Sequence, residues 1–295
     1  MNGITFYILD VFAEEKYAGN QLAVFVDAAS LSDAEMQRIA KEMNFSETTF
    51  ILSRKQRAGG YDIRIFTPQA EVPFAGHPTL GTAYVLQSEI IAKPAEKIIL
   101  NLKVGQIPVT FDRDSRKGSV LWMKQKEPIF SSKVKPPLIA QVLGLDEKDI
   151  DGRFPIQEVS TGLPCIIVPL KTAKAIKRIK VDLNKCYRLI AKKRAKTILV
   201  FCPQPMDKDN DLKVRFFADF YGVPEDPATG SANGCLAGYL VKHRYFGTKK
   251  IDVRVEQGYE IGRPSLLRLK AENRDGKIEV RVGGHVVLVA KGKLV

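Results

Sequence analysis

Residues 64–83 read RIFTPQAEVPFAGHPTLGTA, and residues 215–232 read RFFADFYGVPEDPATGSA. Both stretches start with Arg-x-Phe, continue through Val-Pro, and end in Gly-Thr-Ala or Gly-Ser-Ala. Further upstream, residues 49–52 (TFIL) correspond to residues 197–200 (TILV) at a similar offset of about 150 residues. Because the matches occur in the same order, the sequence predicts two copies of one domain. We place these copies at 1–124 and 125–295, with a Pro- and Lys-rich linker around 125–151 at the start of the second.

Secondary structure is clearest in the first copy. Apolar or alternating runs predict strands at 4–12, 21–27, 48–53, 61–67, 97–103, 106–112 and 119–124. A helix over 33–43 is predicted after the second strand, because Ser32 is followed three positions later by Glu35, as in a capping box.

The repeated motif opens a helix of a different kind in each copy. Pro78 lies where the first turn of a helix tolerates proline, and the residues after it, TLGTAYVL, are small or apolar on every face. The second copy has ATGSANGCLAGYLV at the same place. A helix without a polar face has to be buried on all sides. We therefore predict an α+β fold of two similar domains, each a curved, mostly antiparallel sheet wrapped around a central buried helix, with the active site in the cleft between the domains.

The N-terminal ends of these two central helices form the predicted site. A helix N-terminus carries unpaired N–H groups and a partial positive charge, so it attracts an anion such as a carboxylate. Glycines at 76, 81 and 230 would let a ligand approach the backbone. The polar residues at these ends are His77, Asp226, Thr229 and Ser231. In the alternative interpretation, Asp226 only caps its helix and His77 only bonds a nearby backbone carbonyl.

The net charge of +13 is concentrated between residues 171 and 196, where many lysines and arginines face a single aspartate, Asp182. Only one aromatic residue, Tyr187, lies in that segment, whereas proteins that bind single-stranded nucleic acid interleave aromatic and basic residues. Leu183, Tyr187 and Ile190 recur at helical spacing, which predicts a surface helix with a solvated basic face. The sequence therefore argues against nucleic acid as a partner.

Hydropathy and cysteine spacing narrow the class of protein further. No stretch approaches the roughly 18 apolar residues of a membrane span, and the first residues are expected to form a strand and not a signal peptide. We expect a cytoplasmic protein without a membrane partner, in which the four cysteines stay reduced. These cysteines have neither CxxC pairing nor the spacing of metal ligands, so no metal site is predicted.

Four segments together resemble the PhzF family, the phenazine biosynthesis-like proteins. They are FAEEKYAGNQLAVF (12–25), NFSETTFIL (44–52), RIFTPQAEVPFAGHPTLGTA (64–83) and EDPATGSANGCLAGYL (225–240). The resemblance covers nearly the whole chain and implies a diaminopimelate-epimerase-like fold. It also implies an isomerase that uses no cofactor, a small carboxylated substrate and a homodimer. The founding activity of the family is the isomerisation of trans-2,3-dihydro-3-hydroxyanthranilate.

The resemblance implies particular site residues as well. The family's acid/base glutamate corresponds to Glu47 of NFSETTF, and its histidine corresponds to His77 of GHPT. Its aspartate and serine correspond to Asp226 and Ser231 of DPATGSA. Further contacts with the substrate are expected from Gly76, Thr229, Gly230 and Asn20.

One departure from the family pattern concerns Asn20. Many relatives read GNP at this point, whereas this chain has Gly19-Asn20-Gln21. Proline restricts the backbone and glutamine does not, so this loop need not have the conformation that it has in relatives with GNP. Any substrate contact from Asn20 depends on that conformation.

The predicted chemistry is a proton shift. An enzyme that moves protons without a cofactor needs one group that serves as base and acid near neutrality. Glu47 lies between Phe45 and Phe50, and partial burial there would favour its protonated form. We expect Glu47 to take a proton from one carbon of the substrate and return it to another. His77, Asp226 and Ser231 would hold the polar groups of the substrate.

Two other functions are compatible with this fold. Glu47 could act as the single base of an epimerase or racemase of an amino acid derivative, or the chain could be a catalytically silent relative that binds a small molecule. An epimerase that uses one cysteine from each copy is excluded, because Cys165 is the first cysteine of the chain and the first copy has none.

Overall fold

The computed structural model describes residues 3–114 and 118–295, which form a mixed α+β fold dominated by strands. The first nine strands in this part of the chain are β1 (Ile4–Val11), β2 (Asn20–Val26), β3 (Glu47–Ile51), β4 (Tyr61–Phe66), β5 (Glu71–Val72), β6 (Lys97–Leu102), β7 (Gly105–Asp114), β8 (Gly118–Lys124) and β9 (Ile129–Lys133). The later strands are β10 (Gln157–Ser160), β11 (Pro164–Pro169), β12 (Thr197–Cys202), β13 (Leu212–Phe217), β14 (Lys250–Gln257), β15 (Ser265–Arg274), β16 (Lys277–Gly284) and β17 (Val286–Leu294). The α-helices are α1 (Asp33–Met43), α2 (Gly76–Val85), α3 (Pro136–Leu143), α4 (Ala173–Arg178), α5 (Leu183–Ala191) and α6 (Gly230–Lys242).

The backbone divides into two compact units. One comprises the chain up to Met123 together with Gly283–Val295, and the other comprises Lys124–Val282. The last strand, β17, belongs with the first unit and pairs antiparallel with β1. Residues 129–143, within the predicted linker, form β9 and α3, and α3 contributes Ile139 and Leu143 to a buried core of the second unit.

The secondary structure predicted for the first copy is confirmed. Each of its seven predicted strands is present to within about two residues at either end. The predicted helix is α1, and its capping box is formed. The hydroxyl of Ser32 accepts from the Glu35 N–H at 3.3 Å, and a Glu35 carboxylate oxygen accepts from the Ser32 N–H at 2.8 Å. The inner face of α1 buries Met36 and Ala40 against Phe50 of β3.

Strand pairing follows the same order in each unit. In the first, β1–β2 is antiparallel, β2–β3 parallel, β3–β4 antiparallel, β4–β6 parallel and β6–β7 antiparallel. In the second, β10–β11, β11–β12, β12–β13, β13–β14 and β14–β15 repeat these senses in the same order. This shared order is the structural counterpart of the sequence repeat.

The helices α2 and α6 are buried along nearly their whole length, as the lack of a polar face predicts. Eight of the ten residues of α2 and eleven of the thirteen residues of α6 are buried. A Cβ atom on Gly81 would lie only 2.4 Å from the Leu22 Cδ2 atom of β2. The expectation that Gly81 admits a ligand is therefore wrong, because this glycine lets α2 pack closely against the strand.

The repeated Arg-x-Phe pattern marks an ion pair that occurs once in each unit. Arg64 binds Glu71 with Nε–Oε1 and Nη2–Oε2 distances of 2.9 and 2.8 Å. Arg215 binds Glu225 in the same bidentate way, at 2.9 and 2.7 Å. Both pairs tie the strand before the motif to the segment that leads toward the central helix.

The basic segment forms α4 and α5 in the second unit. A surface helix is present as predicted, and the Asp182 carboxylate caps it by accepting from the Lys185 N–H at 3.0 Å. Ile190 is buried in the core, but Leu183 and Tyr187 stay 46% and 43% exposed. The predicted apolar face is thus covered only at the end of the helix.

No helix in the described part of the chain is both long enough and apolar enough to cross a membrane. The four cysteines are free thiols, and Cys165, Cys202 and Cys235 are buried.

Candidate active site

Glu47 is the first residue of β3 and follows the turn that ends α1. That helix stops at Asn44, whose left-handed backbone (φ 53°) reverses the chain. Strand β3 runs parallel to β2, with Leu22 as the register partner of Glu47. Thr49 points to the same face as Glu47 because side chains alternate along a strand, and its hydroxyl bonds Thr82 of α2 at 2.9 Å. The Glu47 side chain therefore lies on the α2 side of the strand, and it is 20% exposed.

His77 is the second residue of α2. Its Nε2 atom lies 3.2 Å from the backbone carbonyl oxygen of Gln21 and 3.6 Å from the Oε2 atom of Glu47. Burial lowers the pKa of His77 from its usual 6.5 to about 3, and the Gln21 carbonyl offsets this effect only in part. At neutral pH the Glu47–His77 contact therefore joins a carboxyl group to a neutral imidazole.

The Gln21 contact decides which nitrogen of the neutral ring carries the hydrogen. A carbonyl oxygen can only accept a hydrogen bond, so the Nε2 atom of His77 is protonated and donates to it. The Nδ1 atom is then the nitrogen without a hydrogen. The bond to a backbone carbonyl, which was the alternative interpretation of His77, is thus present together with the contact to Glu47.

Helix α2 begins at Gly76 without a side-chain cap. Its N-cap residue, Ala75, has no side-chain oxygen, and Pro78 has no N–H to offer in the first turn. The Thr79 hydroxyl donates backward to the Ala75 carbonyl at 2.7 Å. The cap residue therefore offers no side-chain acceptor to the backbone N–H groups at the start of α2, such as those of Gly76 and His77. A bound carboxylate could accept hydrogen bonds from these groups.

Asn20 is the first residue of β2 and is buried, opposite Val11 of β1. The loop before it requires glycine, because Gly19 has a φ of 64° and a Cβ there would lie 2.4 Å from the Val11 carbonyl oxygen. Gln21, which stands where many relatives have proline, exposes its side chain and reaches His77 through its backbone carbonyl.

In the second unit, the DPATGSA motif leads into α6. Thr229 is the N-cap residue, Gly230 is the first helical residue and Ser231 is the second. Asp226 is buried, and its Oδ2 atom accepts a short hydrogen bond from the Thr229 hydroxyl. The half-buried Ser231 accepts a hydrogen bond at its backbone oxygen from the Thr161 hydroxyl, at 3.3 Å.

Gln257, the last residue of β14, was not among the predicted site residues, yet it joins this turn. It is 1% exposed, and its Nε2 atom donates to the Asp226 carbonyl at 2.8 Å and to the Thr229 hydroxyl oxygen at 3.2 Å. Its Oε1 atom accepts from Asn233 of α6 at 2.8 Å. The sequence repeat pairs Val104-Gly105 with Gln257-Gly258, so a polar residue in the second copy stands where the first copy has an apolar one.

The structure thus brings the predicted residues together within each unit. Glu47 and His77 meet in the first unit, next to the strand that starts at Asn20. Asp226 and Thr229 meet in the second, directly before Gly230 and Ser231. The roles of these residues in catalysis and binding stay predictions.

Comparison with known proteins identifies the family. The family profile described as "Phenazine biosynthesis-like protein" (PhzC-PhzF) matches residues 9–292. The trans-2,3-dihydro-3-hydroxyanthranilate isomerase of Pseudomonas aeruginosa is 35% identical over 289 residues, covering 98% of this chain and 98% of that protein. A crystal structure of a PhzF-family phenazine biosynthesis protein from Bacillus anthracis has a TM-score of 0.92 and 27% identity, with 100% of both chains covered.

A more distant likeness concerns the fold alone. A probable proline racemase from Agrobacterium radiobacter has a TM-score of 0.61 at 9% identity, with 99% of this chain and 93% of that chain covered. The profile and the full-length relatives confirm the resemblance inferred from the four sequence segments. The chain therefore belongs to the phenazine biosynthesis-like protein family and is an isomerase.

Proposed function

We propose that this isomerase moves a proton between two carbons of a small carboxylated ring of the trans-2,3-dihydro-3-hydroxyanthranilate type. Glu47 serves as both base and acid. The observation that carries the proposal is the contact between the Glu47 carboxyl group, which is partly accessible, and the neutral, buried imidazole of His77. The name of the Pseudomonas aeruginosa relative supports this class of substrate.

The proposed step conserves atoms and charge. Glu47 takes a proton from one carbon, which breaks a C–H bond and leaves its electron pair in the conjugated system of the substrate. The protonated Glu47 then delivers the proton to a second carbon, where the electron pair forms a new C–H bond. Glu47 returns to its starting state, so the reaction needs no co-reactant. Positioned acid/base groups of this kind contribute typically about 10²–10⁴-fold in rate.

A neutral His77 suits this use of Glu47. An imidazolium 3.6 Å away would favour the charged carboxylate strongly, whereas a neutral ring leaves both forms of the carboxyl group available. Because its Nε2–H is directed to Gln21, the ring is also held in one orientation beside the carboxyl group. In this proposal His77 fixes the position of Glu47 and contacts the substrate.

The substrate carboxylate and its other polar groups are assigned to the helix starts. We assign the carboxylate to backbone N–H groups near Gly76 and Gly230, because a helix N-terminus attracts anions. Hydrogen bonds to the remaining polar groups are assigned to side chains of the two motifs and the first loop. These side chains are Asp226, Thr229, Ser231 and Asn20.

Two further parts of the proposal concern assembly, which rests on the family resemblance, and location. The isomerase is a homodimer, which sedimentation would show as twice the chain mass of 32.9 kDa. It is cytoplasmic, consistent with four free thiols.

Solvent-deuterium incorporation tests the chemistry. The wild-type protein is incubated in D₂O with dihydro-3-hydroxyanthranilate and with a panel of small carboxylic acids, and products are analysed by mass spectrometry. Glu47→Gln keeps the size of the side chain but removes the base, so isomer and label should both disappear. Glu42→Gln is the matched control, because Glu42 is an exposed glutamate of α1 in the same unit. It should leave the rate unchanged.

Each outcome bears on the proposal. Conversion that is lost in Glu47→Gln alone supports it, with or without deuterium in the product, since a shielded carboxyl group can return the same proton. Wild-type turnover by Glu47→Gln would refute the role of Glu47. Inversion of one stereocentre without a shifted double bond would instead identify a one-base epimerase, and binding without turnover would identify a silent relative.

A further inference from the structure

We infer that Gln257 is a positioning residue for the substrate-binding turn of the second unit. It sets the hydrogen-bond direction of Thr229 and thereby fixes the carboxylate of Asp226. This inference rests on the proposed role of Asp226 in binding the substrate. Gln257 itself lies behind the turn, 1% exposed, and acts through these two residues.

The hydrogen-bond partners allow only one orientation of the Gln257 amide. The Asp226 carbonyl, 2.8 Å away, can only accept, so it must face the amide nitrogen. On the other side of the amide, the Thr229 N–H lies 3.4 Å and the Asn233 Nδ2 atom 2.8 Å from the oxygen. Both of these groups can only donate. A flipped amide would lose all three interactions, so the orientation is set by the turn itself.

The fixed amide in turn directs the Thr229 hydroxyl. The Gln257 Nε2 atom is a donor 3.2 Å from the Thr229 oxygen, so that oxygen must accept there. The single hydrogen of the hydroxyl is then left for the Oδ2 atom of Asp226, where the short hydrogen bond is observed. A chain of donors therefore runs from Gln257 through Thr229 to the carboxylate.

The backbone after Gln257 holds the same turn. Gly258 has a φ of 80°, and a Cβ atom there would lie 2.6 Å from the Pro227 carbonyl oxygen. The chain at Gln257-Gly258 thus packs directly against the segment that connects Asp226 to Thr229. Asn233 closes the arrangement from α6, because its Nδ2 atom also donates to the Thr229 carbonyl at 3.0 Å. The polar contacts of Gln257 described here all reach residues in the first turn of α6 or directly before it, and they hold that turn in place.

Two substitutions separate hydrogen bonding from shape. Gln257→Met keeps the length of the side chain without donors or acceptors. Gln257→Glu keeps the shape but replaces the amide nitrogen by oxygen, which draws the Thr229 hydroxyl away from Asp226. Because a displaced binding group weakens substrate binding, we expect KM for dihydro-3-hydroxyanthranilate to rise about tenfold or more in both variants. The change in kcat should stay small.

Gln157→Met is the matched control for loss of a buried glutamine amide. Gln157 lies in β10 of the same unit, where it bonds the Ser131 carbonyl at 3.0 Å and His243 at 2.9 Å. Like Gln257→Met, this variant should unfold at a lower urea concentration than the wild type, but it should keep the wild-type KM. Partial unfolding lowers the amount of active enzyme and hence the apparent kcat. A raised KM in Gln257→Met alone therefore supports positioning, whereas an unchanged KM overturns it.

A double-mutant cycle tests whether Gln257 acts through Asp226. If it does, Asp226→Asn with Gln257→Met should raise KM no further than Asp226→Asn alone. Multiplying effects would overturn the inference. A crystal structure of Gln257→Met gives a readout that needs no substrate. If Thr229 keeps its bond to Asp226 there, the positioning role is refuted. If the turn rearranges but the wild-type enzyme never converts this substrate, the proposed function fails and the structural inference stands.

Discussion

The imidazole of His77 and the carboxyl group of Glu47 meet with 3.6 Å between Nε2 and Oε2, and the imidazole is the neutral partner. The imidazole is neutral because it is buried. Moving a charged imidazolium out of water costs more free energy than its hydrogen bond to the Gln21 carbonyl provides. The pair therefore differs from a charge-relay pair, in which a carboxylate stabilises a charged histidine.

The pH dependence of stability tests the neutral state of His77. A histidine titrates near 6.5 in the unfolded chain, whereas His77 titrates near 3 in the folded protein. Between these values the unfolded chain binds a proton that the folded protein does not, so the free energy of unfolding falls as the pH decreases. His77→Gln has no such titration. Relative to this variant, the wild type should lose about 2–3 kcal/mol of stability between pH 7 and pH 4.5.

Urea unfolding of both proteins at the two pH values measures this difference. His243, whose pKa burial also lowers, is present in both proteins and its contribution cancels. The comparison uses only the change with pH, so any fixed cost of the substitution also cancels. Equal pH dependence in the two proteins would show that the pKa of His77 is the same in the folded and unfolded protein, which would contradict the prediction.

The side chain of Gln21, in the GNQ motif, should not be needed for catalysis. Gln21 exposes its side chain and contacts His77 through its backbone carbonyl at 3.2 Å. Gln21→Ala keeps that carbonyl, so we expect kcat and KM to stay within about twofold of wild type. Steady-state kinetics with the substrate that the deuterium experiment identifies would check this. A tenfold rise in KM would instead assign the Gln21 side chain to substrate binding.

The fold was predictable because its signals are local and repeated. The capping box at Ser32 needs only Glu35, and the buried helices need only an absence of polar residues, as in TLGTAYVL. The shared order of strand pairing is reflected in the sequence repeat, in which Arg64 and Arg215 are equivalent and each binds a glutamate that follows its strand. The return of β17 to the first unit was missed, because strand pairing over such a distance leaves no local pattern.

The candidate site was predictable only in part. Glu47, His77 and Asp226 lie in recognisable motifs, so the resemblance assigns them roles from the sequence, and these roles stay predictions. The hydrogen on Nε2 of His77 depends on a backbone carbonyl that any residue at position 21 could supply. Gln257 lies 31 positions from Asp226, and its amide matters only because folding places it behind the turn. Contacts of this kind follow from tertiary packing and not from residue type.

Gly81 is predicted to serve packing, and its replacement should change stability without affecting substrate binding. Alanine favours a helix interior over glycine by about 1 kcal/mol, but its Cβ would meet the Leu22 Cδ2 atom at 2.4 Å. Because Leu22 is fully buried, the strain should exceed that gain, for a net loss of about 1–2 kcal/mol in urea unfolding. In a Leu22→Ala background only the milder contacts with the Val11 Cγ2 atom at 3.0 Å and the Leu9 Cδ1 atom at 3.3 Å remain, so Gly81→Ala should cost less stability there. A raised KM without loss of stability would contradict the packing role of Gly81.

The buried pair Arg215–Glu225 should be the more costly of the two repeated ion pairs to break. Its side chains are 11% and 10% exposed, and the Arg215 guanidinium also donates to the Ile176 carbonyl at 3.0 Å. Arg215→Met leaves a buried carboxylate without its counter-ion, so we expect a loss of about 3–5 kcal/mol in the free energy of unfolding. Arg64→Met should cost less, because the Lys103 ammonium, 2.5 Å from Glu71, remains to balance that carboxylate.

A compensating variant separates two effects of Arg215→Met, namely the unpaired charge on Glu225 and the lost hydrogen bond to the Ile176 carbonyl. In Arg215→Met with Glu225→Leu, no buried charge is left unpaired, so most of the stability lost in Arg215→Met should return. Urea unfolding of the two single variants and the double variant measures this recovery. If the double variant is as unstable as Arg215→Met, the bond to Ile176 carries the stabilisation. In that case the main role of Arg215 is to join β13 to α4 through the Ile176 carbonyl. Its bond to Glu225, on the approach to α6, would then contribute little.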